Sequence, residues 1–123
     1  MSKAFGARLR AHRLRAKLTQ RDLAEALGLD FTYVSKIEGG RVPPPAEGKI
    51  ELAAKVLKLS ADDREELFSL AKRVPSDIEE VVARPKSLRL YRNIRQHSVE
   101  EQDKLLDELL EFIERKQSRK PKA

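Results

Sequence analysis

The side chains of this chain that could do chemistry are cations and neutral hydrogen-bonding groups, not nucleophiles or metal ligands. There is no cysteine, and the only histidines are His12 and His97. Neither HExxH nor a glycine-rich phosphate loop occurs, so no catalytic set can be assembled; the chain is expected to be no enzyme, with no cofactor and no metal. His12 is expected at the surface, because no Cys, Asp or second His stands at metal-ligand spacing around it. What the chain does offer is positive charge unevenly placed. Residues 1–59 carry 12 Lys and Arg against 6 Asp and Glu, while residues 60–123 carry 14 against 14. A basic half beside a neutral half suits a module that binds an anion joined to one that meets protein. Solvated helix surface accounts for the charge equally well, so the decision falls to the pattern.

That pattern is concentrated between Leu18 and Arg41, LTQRDLAEALGLDFTYVSKIEGGR. Thr19 is an effective N-cap, and Asp22 places a carboxylate near the positive end of the helix dipole. A helix is therefore predicted from Gln20 to about Leu27. Leu23, Ala24 and Leu27 share its inner face, and Gly28 is the residue best able to stop it in a left-handed conformation. Asp30 is predicted to cap a second helix. On it Val34 and Ile37 point one way, whereas Phe31, Thr32, Ser35 and Lys36 share the other face at i, i+1, i+4 and i+5. Gly39 and Gly40 end it, leaving two short helices joined by one tight turn.

Three features of this stretch carry a resemblance: Leu-Thr-Gln-x-x-Leu-Ala, a glycine nine residues after Thr19, and Tyr-Val-Ser-Lys-Ile-Glu-x-Gly-Arg followed by a proline. Together they resemble the helix-turn-helix of the Cro/CI (XRE) repressor family, over about Phe5 to Leu70. The resemblance implies an all-α, five-helix lambda-repressor-like domain. In that family the second helix of the pair enters the major groove while the first crosses the phosphate backbone. Carried over residue by residue, it implies that Phe31, Thr32 and Lys36 face bases, with Ser35 beside them. Thr19, Gln20 and Arg41 then lie near phosphates. Phe31 is the odd member, since a benzyl group cannot hydrogen-bond a base and is left to pack on a thymine methyl or a sugar. The resemblance also implies that Arg13 reaches Glu38 in a partly buried ion pair with a structural role.

The remaining elements must hold this pair in place. A chain of 123 residues provides one ordinary domain, or a minimal one with a helical appendage. With 40% hydrophobic residues, 5% aromatic and no Trp, its core must be aliphatic; 37% charged residues favour long solvated helix faces. No apolar run approaches the roughly 18 residues of a membrane span, and the first residues lack an apolar signal core, so a cytoplasmic protein without membrane contact is expected. Helix one is predicted from Phe5 to about Lys17, with Phe5, Leu9 and Ala16 inward and Arg8, Arg10, Arg15 and Lys17 largely outward. Val42-Pro43-Pro44-Pro45 makes a stiff connector. A helix over Ala46 to Leu57, and another started by Ser60 with Asp63, complete five helices by Val74.

A short helix over Asp77 to Ala83 follows, ended by Pro85. Lys86, Arg89, Arg92 and Arg95 then recur at steps of three, with no acid between Val81 and Ser98. They form a second phosphate-facing stripe, a docking and cleavage segment, or a solvated edge paired with the acidic last helix. Ser98 with Glu101 opens that helix, which runs to about Arg115. In it Gln102, Leu106, Leu109, Leu110 and Ile113 form an apolar stripe widened by Leu105 and Phe112. The natural cover is the same helix of a second chain, with packing on the chain's own domain as the alternative. Leu106, Leu109, Leu110 and Ile113 are the expected dimerisation residues.

The chain thus divides into residues 1–74 as a DNA-binding domain, 75–116 as a helical dimerisation region and 117–123 as a disordered basic tail. The expected function is that of a sequence-specific double-stranded-DNA-binding transcriptional regulator, a homodimeric repressor on a palindromic operator. The proline loop with a short helical C-terminal region also resembles repressors that work beside ImmA/IrrE-type metalloproteases, among them those of CBASS-type phage-defence operons. That implies inactivation by cleavage of the C-terminal region. The alternative is an interaction protein, such as an antitoxin or bridging coactivator, whose main partner is another protein.

Overall fold

The computed structural model describes residues 2–118, so of the expected tail only Gln117 and Ser118 fall among the described residues and 119–123 lie outside them. The chain is all-α. Its helices are α1 (Lys3–Arg15), α2 (Gln20–Leu27), α3 (Phe31–Glu38), α4 (Glu47–Val56), α5 (Ala61–Ala71), α6 (Glu79–Val82), α7 (Pro85–Arg95) and α8 (Val99–Ser118), with one 3-10 turn at Ser76–Ile78. Contacts divide it into two units, one ending at Glu79 and the other beginning at Glu80.

In the first unit, α1 to α5 close a five-helix lambda-repressor-like domain around Phe5, Leu9, Leu23, Leu27, Val34, Ile37, Ile50, Leu67 and Phe68. Each helix starts and stops where local chemistry allows. Gly28 takes φ +66° after α2, a conformation that costs glycine nothing. α1 stops at Arg15 rather than Lys17, because Lys17 itself turns left-handed at φ 61°; Ala16, expected inside, is therefore exposed. α5 ends at Ala71 rather than Val74, again at a left-handed lysine, Lys72.

Close approach of α1 to α3 depends on Gly6, where a Cβ would lie 2.3 Å from the Ile37 carbonyl oxygen. Lys49 Nζ donates to the Leu27 carbonyl at 2.6 Å and so satisfies an orphan acceptor at the end of α2. Arg73 donates to the Pro44 and Pro45 carbonyls, fastening the stiff proline connector.

The second unit is built on α7 and α8. Pro85 stands at the first position of α7, where a missing N–H costs nothing. The Ser98 hydroxyl accepts the Glu101 N–H at 3.3 Å to start α8, which continues three residues past the expected Arg115 to Ser118. Among its described residues Ile94 alone is buried. No described helix is long and apolar enough to cross a membrane.

Candidate nucleic-acid interface

The site begins with a reciprocal cap. Thr19 Oγ1 accepts the Asp22 N–H at 3.0 Å, and Asp22 Oδ2 accepts the Thr19 N–H at 2.9 Å. Hydrogen bonding from the Thr19 backbone N–H first, and from its side chain next, holds the Asp22 carboxyl below its ordinary pKa. The cap fixes the start of α2 and with it the placement of Gln20 and Arg21.

The far end of α3 is fixed by a buried ion pair. Arg13 Nε donates to Glu38 Oε2 at 2.7 Å and Nη2 donates to Oε1 at 3.0 Å, while Nη1 donates to the Leu18 carbonyl at 2.8 Å. The two side chains are 7% and 2% exposed. Gln20 Nε2 adds a third donor to Glu38 Oε1 at 3.0 Å. One carboxylate thereby ties α1, the start of α2 and α3 together. The residue expected to reach a phosphate, Gln20, has part of its amide engaged inside the protein; the reason is that Glu38 has a lone pair that Arg13 alone does not satisfy.

With Val34, Ile37 and Glu38 turned inward, α3 presents Phe31, Thr32 and Lys36 to solvent, with Ser35 half-buried between them. Arg41, just past the helix, is exposed. Among the described residues neither Lys36 nor Arg41 is paired with a carboxylate. Asp30 stands at the N-cap with extended backbone, but its side chain makes no cap hydrogen bond, unlike the cap expected of it.

Phe31 is also not free-standing. The Arg21 guanidinium lies 4.4 Å from its ring centroid, stacking a cation on the benzyl group. Arg21 is the functional candidate that sequence reasoning passed over. Its only signal there was a basic side chain two residues inside the cap. Folding brings it to a ring ten positions on, across the Gly28 turn.

His12, expected at the surface, is buried at 4% exposure. Nothing local to α1 reveals this, because α5 covers it from far along the chain. Arg15 Nη2 donates to its Nδ1 at 2.5 Å, and Nε2 has no partner. A His12 ring nitrogen and oxygens of Asp63 and Glu66 come within 4.8 Å of one another. Both carboxylates are already paired, Asp63 with Arg15 at 3.3 Å and Glu66 with Arg8 at 3.2 Å, so the cluster acts as an ion-pair network joining α1 to α5. Burial first, and Arg15 next, push the imidazole pKa below its ordinary value.

In the second unit the expected stripe is split. Leu105 and Leu109 are half-buried and line a cleft with Leu90 and Ile94 of α7, whereas Leu106, Leu110, Phe112 and Ile113 stay exposed. Leu109 therefore serves the contact with α7 rather than the open face. The cations of α7 are exposed and, among the described residues, not paired with the acids of α8. α7 turns Ile94 to α8, and Arg89 and Arg92 lie around the opposite side of the helix.

Residues 4–67, just over half of the chain, match the family model of a helix-turn-helix domain. No curated protein and no solved structure matches the chain.

Proposed function

The chain belongs to the family of helix-turn-helix domains, and on that premise we propose that it is a sequence-specific double-stranded-DNA-binding transcriptional regulator, a cytoplasmic homodimeric repressor acting on a palindromic operator. One observation carries the reading: α3 is anchored by its buried face and offers Thr32 and Lys36 outward, with Ser35 half-buried between them, flanked by the cations Arg21 and Arg41, neither paired with a carboxylate among the described residues. Such a helix fits the major groove, where Thr and Lys meet base edges and the flanking guanidiniums meet phosphates. Thr19 belongs to the phosphate side through its place at the start of α2.

The dimer follows from the open residues Leu106, Leu110 and Ile113 of α8 and from the single reading helix each chain supplies. Two copies related by a twofold axis require half-sites about one helical turn apart. Cleavage of the second unit by a partner metalloprotease would then release the operator by separating the two reading helices. The second reading, an interaction protein, is favoured by the same exposed α8 face and differs in having no preferred duplex.

Selection of duplexes from a random pool with the full chain tests the proposal. A palindrome should emerge. On it, Lys36→Ala and Thr32→Ala should relax base preference, each lost base contact being worth about 1–3 kcal/mol of discrimination. Arg21→Ala and Arg41→Ala should weaken all duplexes alike and flatten the salt dependence. Failure to enrich any sequence, or equal losses on selected and random duplexes for all four variants, contradicts the reading.

A further inference from the structure

α8 carries one broad apolar arc of which α7 covers half. Leu105 and Leu109 line the cleft with Leu90 and Ile94; Leu106, Leu110 and Ile113, at i, i+4 and i+7, remain 42%, 57% and 50% exposed. These three lie in a straight strip along the helix, because residues four and three apart fall on one face.

Charge along the helix axis is just as uneven. Val99 to Glu108 holds Glu100, Glu101, Asp103, Asp107 and Glu108 against Lys104, a net of −4, whereas Leu109 to Ser118 balances Glu111 and Glu114 with Arg115 and Lys116. A copy laid parallel would set the acidic half on the acidic half. A copy laid antiparallel sets each acidic half along the neutral half that ends in Arg115 and Lys116, and also opposes the two helix dipoles.

We propose that a second copy of this chain covers Leu106, Leu110 and Ile113 with the same three residues, the two α8 helices running antiparallel and crossing near Leu110. This rests on the dimeric reading above and adds its seam and its orientation. A twofold axis at Leu110 sets Leu106 of one copy within one residue, about 1.5 Å along the helix, of Ile113 of the other, and the reverse, as an isologous interface demands. Leu109 stays with α7 of its own chain.

The chain has no cysteine, so single cysteines report the pairing in the full-length protein. With a rise of about 1.5 Å per residue, two Leu106 positions lie about 12 Å apart along an antiparallel pair that crosses at Leu110. A disulfide needs Cα atoms roughly 4.4–6.8 Å apart. Mild oxidation should therefore cross-link Leu110→Cys to itself and leave Leu106→Cys uncross-linked alone. A mixture of Leu106→Cys with Ile113→Cys should give the mixed dimer. Sedimentation of each reduced variant, at a concentration where the parent is dimeric, checks that the substitution has not dissociated it. Self-cross-linking of Leu106→Cys as readily as Leu110→Cys shows a parallel pair and overturns the orientation while leaving the dimer intact. A dimer that cross-links at none of these positions overturns the seam. A parent chain that sediments as a monomer overturns the dimeric reading itself.

Discussion

Leu23, Val34 and Leu67 of the first unit have 0% exposure, whereas in the second unit Ile94 alone among the described residues is buried and Leu110 and Ile113 stand at least half exposed. Both units are helical and both helices at issue are amphipathic. The difference is what surrounds them. In the first, five helices close around a shared apolar core, and a buried ion pair joins α1 to α3. In the second, α7 covers only part of the apolar arc of α8. In the proposed dimer the first unit therefore keeps a stability of its own, while that of the second depends on association. A regulator divided in this way can lose its grip on DNA without unfolding its reading head.

The sharpest way to break this contrast is Leu110→Ala. If α8 meets a second copy, truncation of a buried leucine costs about 2–5 kcal/mol, and a twofold interface feels the change twice. Sedimentation should show a weakened dimer while the thermal unfolding of the first unit, followed on a chain held monomeric by dilution, stays in place. An unchanged dimer would remove α8 from the interface.

Glu38→Ala acts on the other side of the contrast. It leaves Arg13 buried without its carboxylate and frees the Gln20 amide, and should destabilise the first unit by about 3–5 kcal/mol in urea denaturation, independent of protein concentration. Adding Arg13→Leu should recover part of that loss. Additive losses would show that the pair does not act as one.

A smaller effect concerns pH. Burial first, and Arg15 next, lower the His12 pKa from 6.5, and Arg8, Asp63 and Glu66 are the other charges facing it. The unfolded chain takes up the proton first. The contribution of His12 is therefore complete above pH 6.5 and is lost as pH falls below that value towards the lower folded pKa. Denaturation midpoints measured across that interval should fall more for the parent than for His12→Gln. Parallel curves would show that the buried ring does not titrate. The smallest effect is that of the cap: Thr19→Ala should cost the first unit about 0.5–2 kcal/mol and leave the dimer untouched.

The helix pair and its turn were legible because their signals are local: Thr19 with Asp22, glycine at position 28, and apolar residues at helical spacing. Arg13 with Glu38 was reachable only through the family resemblance, since a separation of 25 residues has no periodic signature. What escaped depends on contacts between elements. His12 is buried by a helix some fifty positions away, and Gln20 is drawn to Glu38 by an acceptor that no spacing reveals. Arg21 reaches Phe31 only once the turn has folded. Leu109 and Leu110 are neighbours in one apolar stripe, and only the position of α7 assigns them to different partners.

The central claim is that the first unit reads DNA and the second makes the reading bivalent. Binding of the full chain and of a chain ending at Glu79 to the same selected duplex tests it most directly. The shortened chain should remain helical and sediment as a monomer. It should bind orders of magnitude more weakly, because it makes half the phosphate contacts and holds one half-site. A shortened chain that is dimeric and binds as tightly as the intact protein would contradict the account.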